Sequence, residues 1–348
     1  MNMRKSAAAV AALLATVALV YGLVLRPVSA QAPAVAPAAP SVERLDSGLD
    51  ALIAPDAAIE KAAGGIKFAE GPTWRRKENA LWFSDLIGNI LYQLGPEGKL
   101  TEILNPSGYD GHDLPAGSYM GSNGMTPGPD GTLTLCQHGN RRIVSVGPDK
   151  KVTVLVDSYE GKRLNSPNDV VYAKDGSFYF TDPPFGLVGR DNDPQKDLKF
   201  NGVFRFYKGK LQLLISDIAT PNGIAFSPDF KTLYITDAAG PKRRWMKYDV
   251  QPDGTVANPR VFADASASKE SGTTDGMKVD QAGNVYATGP GGIWIMTQDG
   301  KHLGTIKLPE TPSSMAFGGA DFKTVYITAR TSVYKVQVKV AGEKPVYY

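Results

Sequence analysis

Apolar and polar positions along this chain alternate in short runs instead of following a helical period, and one run recurs. Leu81-Trp82-Phe83-Ser84-Asp85 returns as Leu133-Thr134-Leu135, Phe178-Tyr179-Phe180-Thr181-Asp182, Leu233-Tyr234-Ile235-Thr236-Asp237, Val285-Tyr286-Ala287-Thr288 and Val325-Tyr326-Ile327-Thr328. The first positions lie 52, 45, 55, 52 and 40 residues apart. Turn chemistry precedes several copies, as in Pro129-Asp130-Gly131, Lys174-Asp175-Gly176 and Gln281-Ala282-Gly283, which is how short strands are bounded. A second apolar run follows each copy, at 90–94, 142–146, 203–207, 293–296 and 333–336, and a further one at 100–104, 152–156, 211–215 and 260–263. A repeat of roughly 50 residues carrying four strands is the unit of a β-propeller blade. The pattern therefore predicts an all-β, six-bladed β-propeller with four-stranded blades; an open array or two β-sandwiches is the competing architecture. The chain ends after the third strand of the sixth blade, and residues 58–63 stand where an N-terminal strand would complete it and hide two open edges.

The termini change the picture of the molecule more than its composition does. Residues 1–30 read as a signal peptide: Arg4 and Lys5, an apolar run from 7 to 24, then Val28-Ser29-Ala30 as a cleavage site. A retained anchor is the alternative, since eighteen apolar residues nearly span a bilayer. A Pro/Ala-rich linker is expected over 31–43, and the propeller over 44–348. An exported protein, periplasmic or secreted, follows, with no membrane attachment once the leader is cut. The whole sequence holds 38 basic and 35 acidic residues, but the leader takes Arg4, Lys5 and Arg26 with no acid, so the mature chain is neutral. No basic run points to nucleic acid. A single cysteine, Cys136, excludes an intramolecular disulfide, and the three histidines lack zinc spacing. Neither a G-x-S-x-G elbow nor a P-loop is present.

Candidate chemistry sits ten or eleven residues before each recurrent strand. There the chain reads Glu70, Asn123, Asn168, Asn222 and Asp275, with Ser313 or Ser314 in the sixth repeat. All but Asn168 of the first five precede a glycine. An isolated Asn-Gly or Asp-Gly is commonly a turn, but here the hairpin signals come several residues later. Equivalent positions at the start of each innermost strand form a ring about the propeller axis. Two carboxylates with amide oxygens make a hard-oxygen cage suited to one divalent ion, calcium before Zn2+, Mg2+ or Mn2+. Asn123 is the weakest member and fits a pocket-lining role.

In combination, Ala69-Glu70-Gly71-Pro72-Thr73-Trp74, Ser122-Asn123-Gly124-Met125, Asn165-Ser166-Pro167-Asn168-Asp169, Thr181-Asp182-Pro183-Pro184-Phe185-Gly186, Pro221-Asn222-Gly223-Ile224 and Thr274-Asp275-Gly276-Met277 resemble the motifs of the SMP-30/gluconolactonase/LRE-like family, over about residues 44–338. That resemblance implies a six-bladed propeller with a divalent metal in its axial tunnel, and a sugar lactone as the small-molecule substrate. Glu70, Asn222 and Asp275 match the family's metal-binding positions, Asn168 a position that contacts metal or substrate, and Asp275 also the catalytic acid/base. The implied chemistry is ester hydrolysis: the ion polarises the lactone carbonyl and water attacks with help from a carboxylate. A carboxylate bound to a cation is a poor base, so Asp275 loosens, or another group such as Asp169 or a metal-bound hydroxide acts instead.

His138 and Arg141, just after the second recurrent strand, are further candidates for holding substrate. The recurring Asp85, Asp182 and Asp237 fit a structural role as acceptors of backbone N–H groups. The long connections 108–120 and 185–201 could cover a binding face. Hydrolysis of an organophosphate or other ester on the same metal site, and a non-catalytic binding propeller with structural calcium, are the competing functions.

Overall fold

The computed structural model describes residues 39–348, and within them the chain forms six antiparallel sheets of four or five strands, in which consecutive strands run from inside to outside, and one two-stranded ribbon, Ser158–Tyr159 with Lys162–Arg163. The innermost strands are Ala69–Arg75, Ser122–Pro127, Val170–Tyr172, Pro221–Phe226, Met277–Val279 and Pro312–Gly318. Each packs against the next, and the sixth packs against the first, which closes the ring. The recurrent strands seen in the sequence are the second in every blade, for example Ala80–Asp85 and Phe178–Asp182. Apolar side chains of these strands, such as Leu81, Phe83, Phe180, Ile235 and Ile327, are fully buried between blades. The six-bladed propeller expected from the repeat is therefore the observed architecture.

Ile59–Gly64 pairs antiparallel with Ser332–Gln337 as the outer strand of the sixth blade, so the closure expected of residues 58–63 is present. A second N-terminal strand differs from expectation. Ser41–Arg44 adds a fifth strand to the fifth blade by pairing with His302–Lys307, and its first three residues fall inside the stretch read as linker. The leader, and the linker up to residue 38, lie outside the described residues. No helix of the described residues is long and apolar enough to cross a membrane.

All six inner strands run the same way, so their first residues share one end of the axial channel. The other end is covered by the C-terminal tail. Glu343 donates its backbone N–H to the Val279 carbonyl at 2.9 Å, Tyr347 stands edge-on to Tyr172, and Tyr348 packs on Phe322.

Candidate functional site

The ring residues are aimed by irregularities in the inner strands. Pairing between first and second strands breaks between Glu70 and Thr73, Ser122 and Met125, Pro221 and Ile224, and Pro312 and Ser314. A bulge of this kind re-aims side chains that a regular strand would alternate. In blades three and five the inner strand is only three residues long, and Asn168 and Asp275 lie in the irregular stretch just ahead of it. The following glycines are explained by the neighbouring blade. A Cβ on Gly71 would collide with the Asn123 carbonyl, one on Gly223 with the Asp275 carbonyl, and one on Gly276 with Ser314. On Gly124 it would lie 2.5 Å from the Asn168 carbonyl oxygen, which the Gly124 N–H meets at 2.7 Å. These glycines let the ring close at its narrowest point. Asp169, in the exceptional repeat, instead accepts the N–H of Ile224 from the next blade.

Glu70, Asn123, Asn168, Asn222 and Asp275 are thereby brought to the wall of one cavity of about 210 Å3. The sixth ring member is Ser313, but its hydroxyl donates to the Ala69 carbonyl at 2.7 Å and so offers little to a ligand. Glu70 is buried, with a Gly71 N–H on its carboxylate at 3.0 Å. Burial, and then the adjacent Asp275 carboxylate, push the Glu70 carboxyl well above the usual range against the pull of that N–H. Asp275 keeps part of its surface open to the cavity, yet burial pushes its carboxyl up to about 8, with Asn222 beside it opposing. Neither carboxylate has a cationic side chain within ion-pair distance among the described residues. Two neighbouring carboxylates so desolvated, with only the Arg330 charge acting on them from beyond ion-pair distance, are costly unless a cation joins them. Their uncharged companions are amides with hard oxygens, so the donor set fits a divalent ion of the calcium type. Among the described residues no cluster of three or more His, Cys, Asp or Glu side chains occurs, which leaves amide oxygens to complete any such site.

His138 is buried in the same cavity wall, its Nε2 3.1 Å from the Asn123 amide nitrogen. Burial, followed by the field of Arg190, lowers its pKa to about 3, so the ring is neutral and accepts from Asn123 at Nε2. Its other nitrogen, Nδ1, has no hydrogen-bond partner.

Two expectations need correction. Arg141 does not face the cavity: its guanidinium donates to the carbonyls of Leu164, Asn165 and Gln195, at 2.7, 3.1 and 2.8 Å. It moors a loop, because three inward carbonyls need a donor fork. Asp169 is likewise outside the cavity wall. Its carboxylate accepts the N–H groups of Val170 and Ile224 and lies 3.8 Å from Lys278 Nζ, so it is a structural acceptor and not the alternative base. The structural reading of Asp85 and Asp182 holds. Asp85 accepts N–H groups from Lys67, Phe68 and Gly88, and Asp182 from Asn165 and Ser166.

The rim adds residues that the sequence reading did not single out. Leu86, Ala238 and Arg330 line the cavity, and each, like His138, stands one residue beyond the last position of a recurrent strand. Carrying the repeat one position further would have found Arg330 beside His138. The two long connections also reach this rim, through Tyr119 from the first and Phe185 and Arg190 from the second.

The sequence model of the SMP-30/gluconolactonase/LRE-like region matches residues 68–331. The chain belongs to this family. A gluconolactonase of Zymomonas mobilis subsp. mobilis is 36% identical over 86% of this chain and 87% of its own length. A 6-deoxy-6-sulfogluconolactonase of Pseudomonas putida is 32% identical, over 75% of this chain and 82% of its own. Among solved structures, a gluconolactonase of Xanthomonas campestris superposes with a TM-score of 0.74 at 29% identity, covering 87% of this chain and 97% of that one. The family's propeller is thus the frame on which this cavity is built.

Proposed function

We propose that this protein hydrolyses a sugar lactone of the gluconolactone type in the axial cavity, with one divalent ion held by Glu70, Asn168, Asn222 and Asp275. The observation that carries the reading is the pair of neighbouring carboxylates, desolvated and without an ion-pair partner, that line one cavity among amide side chains, on a chain 36% identical to a gluconolactonase. A bound calcium-type ion would supply Lewis-acid polarisation of the carbonyl and charge for the developing oxyanion.

The protein's own residues account for the rest. Asp275, partly open to the cavity and loosened from the ion for this step, takes a proton from the water whose oxygen bonds to the carbonyl carbon. As the ring C–O bond breaks, that proton passes to the leaving alkoxide and an open-chain hydroxy acid results. Asn123, its amide nitrogen held by the neutral ring of His138, turns its amide oxygen to accept from a sugar hydroxyl. Tyr119 and Phe185 wall the mouth and keep stray water from the carbonyl. The leader-like residues 1–30 support export, which N-terminal sequencing of protein recovered from the periplasm or medium tests.

The deciding experiment assays lactones and phosphoesters before and after chelation, with metal content measured by mass spectrometry. Lactone turnover should disappear with the ion and return on adding Ca2+. Asp275→Asn should lower kcat by at least about 100-fold, the scale of one lost acid–base group. Full turnover by metal-free protein would sink the metal assignment, and a metal-loaded protein inert on every lactone would sink the enzyme.

A further inference from the structure

Charge at the cavity rim is unbalanced. Arg190 is exposed there, with its Cζ 5.0 Å from the ring centroids of both Tyr119 and Phe185. Its Nη1 donates to the Phe185 carbonyl at 2.8 Å, which fixes the fork and leaves other N–H groups free. Its backbone takes the left-handed value φ 54°, held by a turn in which the Asp193 N–H meets the Arg190 carbonyl at 3.1 Å. The nearest acid in sequence, Asp191, acts on Arg190 only through its field, and its Oδ1 accepts from Asn201 at 3.0 Å and lies 3.8 Å from Lys196 Nζ. Among the described residues no carboxylate comes within ion-pair distance of Arg190, or of Arg330 across the cavity.

The two arginines stand at different poles. Arg330 follows the second strand of the sixth blade, between the blades that carry Glu70 and Asp275, whereas Arg190 comes from a connection of the third blade, opposite the sixth in the ring and next to the blade of His138. If the two carboxylates are matched by a divalent ion, both guanidiniums remain unneutralised and the cavity attracts anions. A lactone whose carbonyl lies at the carboxylate pole turns its far end toward His138 and Arg190.

We propose that the lactone this cavity prefers carries an oxyanion substituent (carboxylate, sulfonate or phosphate) at the end remote from its carbonyl, and that Arg190, framed by Tyr119 and Phe185, recognises it. The inference rests on the lactonase reading and names its substrate class. A planar guanidinium held between two rings is oriented before the ligand arrives, which suits a forked contact to two oxygens.

The test measures kcat/KM for a neutral 1,5-aldonolactone and for counterparts bearing a 6-carboxylate, 6-sulfonate or 6-phosphate, using the metal-loaded protein. At least one anionic lactone should be preferred by about tenfold or more, and the preference should shrink as salt screens the charge. Arg190→Gln should abolish that preference mainly through KM, and Arg190→Lys should restore part of it. Comparing the three anions shows which oxyanion fits. Equal or weaker turnover of all anionic lactones overturns the inference and leaves the lactonase reading standing. A preference that survives Arg190→Gln overturns the role of Arg190. No turnover of any lactone overturns both readings together.

Discussion

The glycines after the ring residues carry a close approach between blades, and that makes them separable from glycines that only permit a turn. Gly223 has no room for a Cβ because the Asp275 carbonyl of the next blade stands against it. Gly209 takes φ 76° in an exposed turn, with nothing within 4 Å of a Cβ built there. Gly209→Ala should therefore cost about 1–2 kcal/mol, the price of left-handed backbone alone. Gly223→Ala has to move the Asp275 segment, at about 1–3 kcal/mol for the overpacking, and it should also weaken metal binding. Urea denaturation and calorimetric titration with Ca2+ check both effects. Ordinary metal affinity in Gly223→Ala would show that the contact does not position Asp275. The register of Asn-Gly and Asp-Gly pairs was legible in the sequence because it repeats. Its cause was not, since the colliding carbonyl belongs to a residue some fifty positions away.

At the level of strands and loops, the second strands were the most legible elements, because each alternates between two buried faces and is bounded by turns. The inner strands were less so, since bulges break their alternation at the functional residues. Loop side chains were least legible of all: Arg141 and Arg190 both sit in polar connections, and only the fold shows that the first points at carbonyls and the second at the cavity. Ser41–Arg44 escaped notice because four residues, two of them charged, carry little strand signal. Asp182, at the end of its second strand, gives this scale a pH prediction. Burial pushes its carboxyl up to about 7, despite the N–H groups of Asn165 and Ser166. A carboxyl with a raised native pKa binds a proton in the fold that the unfolded chain has released. Its contribution to stability therefore falls as pH rises from about 4 to about 7 and is level above that, by at most roughly 4 kcal/mol. Asp182→Asn should flatten this part of the stability–pH curve in denaturant titrations at pH 5 and 7.5. A variant whose slope matches the parent over that window would refute the buried proton.

Over the whole molecule, stability depends on where the ring is fastened. The fifth blade already has four strands before Ser41–Arg44 joins it, whereas the sixth has three until Ile59–Gly64 pairs with Ser332–Gln337. The two N-terminal strands look alike in the sheet diagram but differ in consequence. Ile59 packs against the apolar core that runs through the fifth, sixth and first blades, together with Ala62 and Ala63. Val42 touches the same core from the outer edge of a complete blade. Replacing 59–64 by alternating Gly and Ser keeps the chain length while removing the side chains and much of the strand preference. It leaves the edge at Ser332–Gln337 open at the seam of the ring, next to the first blade and its Glu70. Such a variant should lose at least about 10 °C in Tm, equivalent to several kcal/mol for a domain of this size, and should aggregate through the exposed edge. The same replacement at 41–44 should cost no more than about 3 °C, because the blade beneath stays closed. Scanning calorimetry of the two variants separates a strand that fastens the ring from one that only thickens a blade. Equal shifts would mean that the sixth blade holds its place without its outer strand.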